Sequence, residues 1–255
     1  MEFIDTHSHL YDEAFTGEED LALQRAVEAG VTRLIFPDID SQSREAMFRF
    51  ADRHDGLIFP CLGLHPTSVD AEWEREMIEM EAHLGRKIWA IGEIGIDCYW
   101  SKEFLEQQKE VLRIQLEIAS RLDLPVIIHS RESTELIINI LKECKHLGIR
   151  GVFHAFSGSK ETFRELDRLG EWYIGLGGVL TYKKASIAEA AKGIPLDRIL
   201  LETDSPYLTP VPFRGKRNES SYIPYIAQKL SELTGRSIEE IAAVTTENAQ
   251  KLFKI

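Results

Sequence analysis

Long apolar runs are missing from this sequence. No stretch approaches the roughly 18 residues a transmembrane helix requires, so a helical membrane protein is excluded. Cysteine is scarce: Cys61, Cys98 and Cys144 stand far apart with no C-x-x-C pair. An odd, sparse set does not build a disulfide frame and suits reduced thiols in a cytoplasm. Met1-Glu2-Phe3-Ile4-Asp5 has neither the basic segment nor the apolar core of a secretory signal, which again predicts a cytoplasmic protein. Nucleotide-cofactor signatures are lacking too. The glycines of "GLGG" (Gly175–Gly178) run into Val179 and Leu180, so no G-x-G-x-x-G forms, and there is no G-K-[ST] loop. A G-x-S-x-G nucleophile elbow is also absent. Positive charge is in deficit, at a formal net charge of −12. That argues against broad, passive attraction to nucleic acid, but not against a site where metal ions supply the positive charge locally.

What remains is a globular composition, 44% hydrophobic and 28% charged over 255 residues, without linker, repeat or low-complexity tract. Short apolar, β-branched runs alternate with longer amphipathic ones. Strands are expected at Phe3–His9, Arg33–Ile39, Ile58–His65, Ile88–Asp97, Pro125–Arg131, Gly151–Phe156, Trp172–Gly178 and Arg198–Asp204. Helices are expected at Glu103–Leu122, with Val111, Ile114, Ile118 and Leu122 apolar, and at Ser237–Phe253. Ser41, Ser130 or Ser133, and Ser157 or Ser159 are candidate N-caps. Successive strand ends lie roughly 24 to 36 residues apart, the rhythm of βα units returning to parallel strands. Eight of them predict a single α/β domain over residues 1–255, a (β/α)8 TIM barrel, with an open doubly wound sheet as the alternative. Three prolines keep Ser205–Ser221 irregular, and after the last strand it would lie on the barrel's catalytic face.

Metal-capable groups gather where a barrel carries its chemistry, at the C-terminal strand ends. His7 and His9 end the first strand, His65 the third, Glu93 the fourth, His129 the fifth, His154 the sixth and Asp204 the eighth. His54, His83 and His146 fall in polar, helix-like stretches and read as uninvolved. Six nitrogen and oxygen donors exceed what one zinc takes from protein and suit two cations sharing a carboxylate. Glu93, central in the ring, is the natural bridge. His7, His9 and Asp204 come from strands that neighbour each other when a barrel closes and would hold one ion; His129 and His154 would hold the other. Asp204 is placed to take a proton from the attacking water. Zn²⁺ or Mn²⁺ fits this donor mixture, and Mg²⁺ fits less well. Arg131, Arg214 and Arg217 could hold phosphate oxygens, and Tyr207 and Tyr222 could stack on bases.

The segments "DTHSHL", "GLHP", "AIGEIGID", "LPVIIHSRE", "GVFHAFSGS", "YIGLGG", "LLETDSPYL", "FRGKRNE" and "TTENAQKLF" stand in this order along the whole chain. Together they resemble the TatD family of metal-dependent hydrolases. The resemblance implies an amidohydrolase-type TIM barrel, two divalent metals and DNase activity, expected here as a 3′–5′ exonuclease on single-stranded DNA. Its metal ligands fall on His7, His9, Glu93, His129, His154 and Asp204, and the histidine of "GLHP", His65, would contact phosphate or the leaving group. Ala155 stands where the family often has cysteine, and Phe213 and Ser220 depart from its usual last loop. Alternatives are a hydrolase of another ester or amide, such as an aminoacyl-tRNA deacylase or an amidohydrolase, and a non-catalytic partner protein. A carboxylated-lysine amidohydrolase centre is disfavoured, because Glu93 holds the fourth strand's end and Lys87 lies before it.

Overall fold

Eight parallel strands separated by helices run through the computed structural model, which describes residues 1–255. The strands are β1 (Phe3–Asp5), β2 (Val31–Phe36), β3 (Ile58–Pro60), β4 (Ile91–Asp97), β5 (Val126–Arg131), β6 (Gly151–Phe153), β7 (Trp172–Leu176) and β8 (Ile199–Leu201). The helices are α1 (Glu19–Glu28), α2 (Ser41–Arg53), α3 (Trp73–Ala82), α4 (Leu105–Leu122), α5 (Thr134–Glu143), α6 (Lys160–Asp167), α7 (Ile187–Ala191), α8 (Ile223–Thr234) and α9 (Ile238–Phe253). None is long and apolar enough to cross a membrane.

Regular ladders join β1 to β3 and β4 to β8. Two seams close the ring. At one, Trp89 N–H donates to Pro60 O (3.1 Å) and Gly92 N–H to Leu62 O (2.9 Å). At the other, Thr6 N–H donates to Leu201 O (3.0 Å), Asp204 N–H to His7 O (2.8 Å) and His9 N–H to Ser205 O (2.8 Å). The closed ring is the (β/α)8 barrel, not an open sheet.

Inside the ring, Ile4, Ile35, Phe59, Ala90, Ile127, Val152, Tyr173 and Leu200, one from or beside each strand, form an apolar layer. The end of α9 seals it from below with Ala249, Leu252 and Phe253. The larger core lies between the ring and the helices. Residues two apart on a strand share a face, so the interior layer predicts the one above it. Ile127 leads to His129, Val152 to His154 and Leu200 to Glu202, which puts polar groups directly over an apolar floor. Gly175, two beyond Tyr173, is required there: a Cβ would stand 2.0 Å from Glu202 Oε2.

The helix caps differ in part from expectation. Asp40, not Ser41, caps α2, accepting from Gln42 and Ser43 N–H. Ser159 caps α6 in a capping box with Thr162, and Ser237 caps α9. Along α4 the buried face includes Gln108 and Gln115 beside Val111, Leu112 and Leu116, while Leu122 is exposed. The glutamines are buried because they satisfy backbone at the ring's upper rim. Gln108 Oε1 accepts from Asp97 N–H (2.9 Å), and Gln115 exchanges two bonds with Leu64, beside His65.

Candidate metal centre

The strands end earlier than their apolar runs suggest, and the site is built from residues that leave the ladders. His7 and His9 follow β1, His65 follows β3 and His154 follows β6, whereas Glu93 and His129 lie within β4 and β5. Asp204 follows β8 with a φ of 57°, a left-handed conformation that aspartate tolerates better than most residues. Backbone pairing across the β8–β1 seam holds it beside His7.

The seven side chains converge. Glu93 Oε2 stands 3.1 Å from His7 Nε2 and 3.7 Å from His9 Nε2. Asp204 Oδ1 is 3.6 and 3.7 Å from the same two nitrogens. The other oxygen of Glu93, Oε1, lies 2.8 Å from His129 Nδ1, 2.7 Å from His154 Nε2 and 3.3 Å from His65 Nε2. One carboxylate therefore divides its two oxygens between two groups of imidazoles. Donors around a tetrahedral ion with bonds of about 2.1 Å sit about 3.4 Å apart, within the 3.1–3.7 Å span of the first group and close to the 3.5 Å between His129 Nδ1 and His154 Nε2 in the second.

The ring partners assign the tautomers. Tyr11 Oη donates to Pro37 O and so accepts from His9 Nδ1 (2.9 Å), leaving a bare lone pair on Nε2. His129 Nε2 donates to Asp97 Oδ2 (2.9 Å), so in the neutral ring Nδ1 carries the lone pair; against its burial, Asp97 and Glu93 raise the ring's pKa and favour a proton there, which a cation would replace. His9 Nε2 and His129 Nδ1 both face the centre, as ligands must, with a hydrogen-bonded partner behind each ring. His65 is the reverse. Its Nδ1 accepts from Thr67 N–H (3.1 Å), so Nε2 carries the proton and presents a donor.

Electrostatics favours a cation here. His7 Nε2 and His9 Nε2 face each other at 3.1 Å, close enough for one cation to take both nitrogens. Burial lowers His7 to about 4, with the His154 ring adding to it, and lowers His9 to about 3, with His7 adding. Both are unprotonated at neutral pH. Burial opposes ionisation of Glu93, but His154, His65 and His7 together outweigh it and hold the carboxyl well below its usual range. Burial raises Asp204 to about 7 against the pull of His154. His154 is driven well above its ordinary value, because Glu93 and Glu202 overcome its desolvation. Without cations the centre borrows protons to balance its carboxylates; cations would displace them. The residues fit divalent metal.

Three contributors escaped the sequence reading. Asp97, four residues after Glu93 and thus on the same strand face, holds His129. Glu202 is buried, accepts from Ala155 N–H (2.5 Å) and lies 3.7 Å from His154 Nδ1. Tyr11 extends the 7, 9, 11 alternation and backs His9. The basic loop is less free than its composition suggests. Arg217 pairs with Glu18, donates to Ala14 O and covers Phe15. Arg214 is exposed, 4.2 Å from the Tyr182 ring centroid. Arg131 is exposed at the end of β5. Tyr222 stacks on Phe213, while Tyr207 is exposed with its hydroxyl near Asp12.

Residues 4–254 match the family model described as TatD related DNase. The chain is 40% identical over 258 residues to the uncharacterized metal-dependent hydrolase YabD of Bacillus subtilis, spanning 98% of each protein. It is 35% identical to the uncharacterized metal-dependent hydrolase YjjV of Escherichia coli over 99% of this chain and 98% of that one. The crystal structure of YjjV superposes with a TM-score of 0.90 at 32% identity, covering 99% and 98% of the two chains.

Proposed function

Because the chain belongs to the family of TatD-related DNases, metal-dependent hydrolases of ester bonds, we propose that it hydrolyses phosphodiester bonds of DNA. On this reading it is a 3′–5′ exonuclease on single-stranded ends, working with two divalent cations in one domain of residues 1–255. The carrying observation is the division of Glu93 between two groups of imidazoles. His7, His9, Asp204 and Glu93 Oε2 would hold one cation; His129, His154 and Glu93 Oε1 would hold the other. When bound, such cations supply Lewis acidity that makes water a usable nucleophile near neutral pH and offsets charge on the phosphoryl group. Imidazole-rich donors favour Zn²⁺ or Mn²⁺ over Mg²⁺.

The chain's own groups do the rest. Asp204 lies at the mouth of the centre, where a bound cation would favour its ionised form, and accepts the proton of the attacking water. His65, with its proton on Nε2, donates to the leaving oxygen. Arg131 and Arg214 engage non-bridging phosphate oxygens. Arg217 could join them only by leaving Glu18, and its contacts suit holding the loop in place. Three free, buried cysteines support a reducing compartment such as the cytoplasm.

The test is end-labelled single-stranded DNA incubated with pure protein, with and without chelator, Mn²⁺, Zn²⁺ or Mg²⁺. Stepwise, chelator-sensitive shortening from the 3′ end is expected. Intact DNA together with turnover of an aminoacyl ester or an amide would overturn the proposal. Arg214→Ala should raise KM for DNA several-fold with little change in kcat, and an unchanged KM would remove Arg214 from the substrate surface. Asp97→Asn turns an obligate acceptor into a group that can donate to His129 Nε2, which moves the ring proton to Nδ1. Metal affinity by calorimetric titration should fall about 10- to 100-fold; equal affinities would mean that Asp97 does not orient the ring.

A further inference from the structure

The loop leaving β4 exposes two large aromatic side chains beside the candidate centre. Tyr99 is 51% exposed and Trp100 69%. Isolated exposed aromatics need no explanation, but an adjacent pair on the functional rim marks a recognition surface. The pair is anchored. Both backbone N–H groups donate to Asp97 Oδ1, at 2.9 and 3.1 Å, and the other oxygen of that carboxylate accepts from His129 (2.9 Å). One side chain thus ties the aromatic corner to a group of the metal centre. The two rings meet edge to face, centroids 5.0 Å apart at 82°. Arg131, in register with Asp97 across β4 and β5, lays its guanidinium carbon 3.8 Å from the Tyr99 centroid and 5.4 Å from that of Trp100.

Arg131 covers one face of Tyr99; the open ring of Trp100 beside that exposed guanidinium is the chemistry that holds a nucleotide. The base stacks on the ring and its phosphate meets the cation. The charge complement is local, since the chain as a whole carries −12. We propose that Tyr99, Trp100 and Arg131 form a seat for one unpaired nucleobase of the strand being cut. This rests on the phosphodiesterase reading and narrows it. A base inside a duplex is already stacked on both faces, so the seat admits only single strands and frayed ends.

Steady-state kinetics on a short single-stranded oligodeoxynucleotide test it. Trp100→Ala should raise KM about ten-fold, the scale of one base–aromatic stack, with kcat within about two-fold. Trp100→Phe should recover most of the loss. Abasic residues placed one at a time from the cleaved end should raise the wild-type KM by a similar factor at one position and leave the Trp100→Ala KM unmoved there. An unchanged KM in Trp100→Ala, or a further ten-fold rise on that abasic substrate, overturns the seat while the nuclease reading stands. Binding separates the converse case. A single strand with phosphorothioate linkages, which resists hydrolysis, should quench tryptophan fluorescence in wild type and much less in Trp100→Phe. That quenching without any DNA cleavage overturns the nuclease reading and supports the seat; equal quenching in both proteins, or none in wild type, overturns the seat.

Discussion

Glu93→Ala is expected to give a folded barrel that no longer gains stability from divalent cations. Glu93 is the one side chain whose two oxygens reach both imidazole groups, 3.1 Å from His7 and 2.8 Å from His129. Its backbone does not depend on the carboxylate, since Glu93 N–H donates to Asp38 O (3.0 Å) and Asp38 N–H to Gly92 O (2.9 Å). A cation at about 100 times its Kd stabilises the native state by about 2.7 kcal/mol, or about 5–10 °C in Tm for a chain of this size. The wild type should show that shift on adding Zn²⁺ or Mn²⁺, and the variant less than about 2 °C. On the two-cation proposal, metal content should fall from two ions to one weakly held ion or none. Hydrolysis should drop about a thousand-fold or more, given the several kcal/mol that metal charge contributes. Matching thermal shifts in the two proteins would refute the bridging role.

Asp204→Asn should abolish most turnover while leaving the architecture alone. Asparagine has the same shape, accepts the left-handed backbone that Asp204 adopts at a φ of 57°, and keeps the N–H bond to His7 O (2.8 Å). It cannot take a proton from water. A loss of about 10³ in kcat follows from the usual worth of a general base, with Tm and circular dichroism unchanged in the cation-free protein. Equal kcat values would strip Asp204 of the assigned role.

The barrel was legible because each strand lies in a short, largely apolar run and each interval has room for a helix. The strand ends were read too long at Phe3–His9, Ile58–His65 and Gly151–Phe156, because the apolar-to-polar boundary does not mark where pairing stops. The backbone turns away to aim its polar groups, with Asp204 and Ala155 both at positive φ. The convergence of His7, His9 and Asp204, and of His129 with His154, was readable from strand adjacency alone. Tautomers were not, since they depend on Tyr11, Asp97 and Thr67 lying behind particular ring nitrogens. Neither was the fate of Arg217, whose partner Glu18 is 199 positions away, nor the polar face of α4, which a 3.6-residue apolar count passes over.

The seam between β8 and β1 has a bearing on how the polypeptide is made. His7 and His9 leave the ribosome early, whereas Thr203, Asp204 and Ser205, which lock them in place, follow almost two hundred residues later. Until then the first strand has a free flank, and His7 and His9 face Glu93 without Asp204. The donor set is consequently complete only when the first and the eighth strand meet.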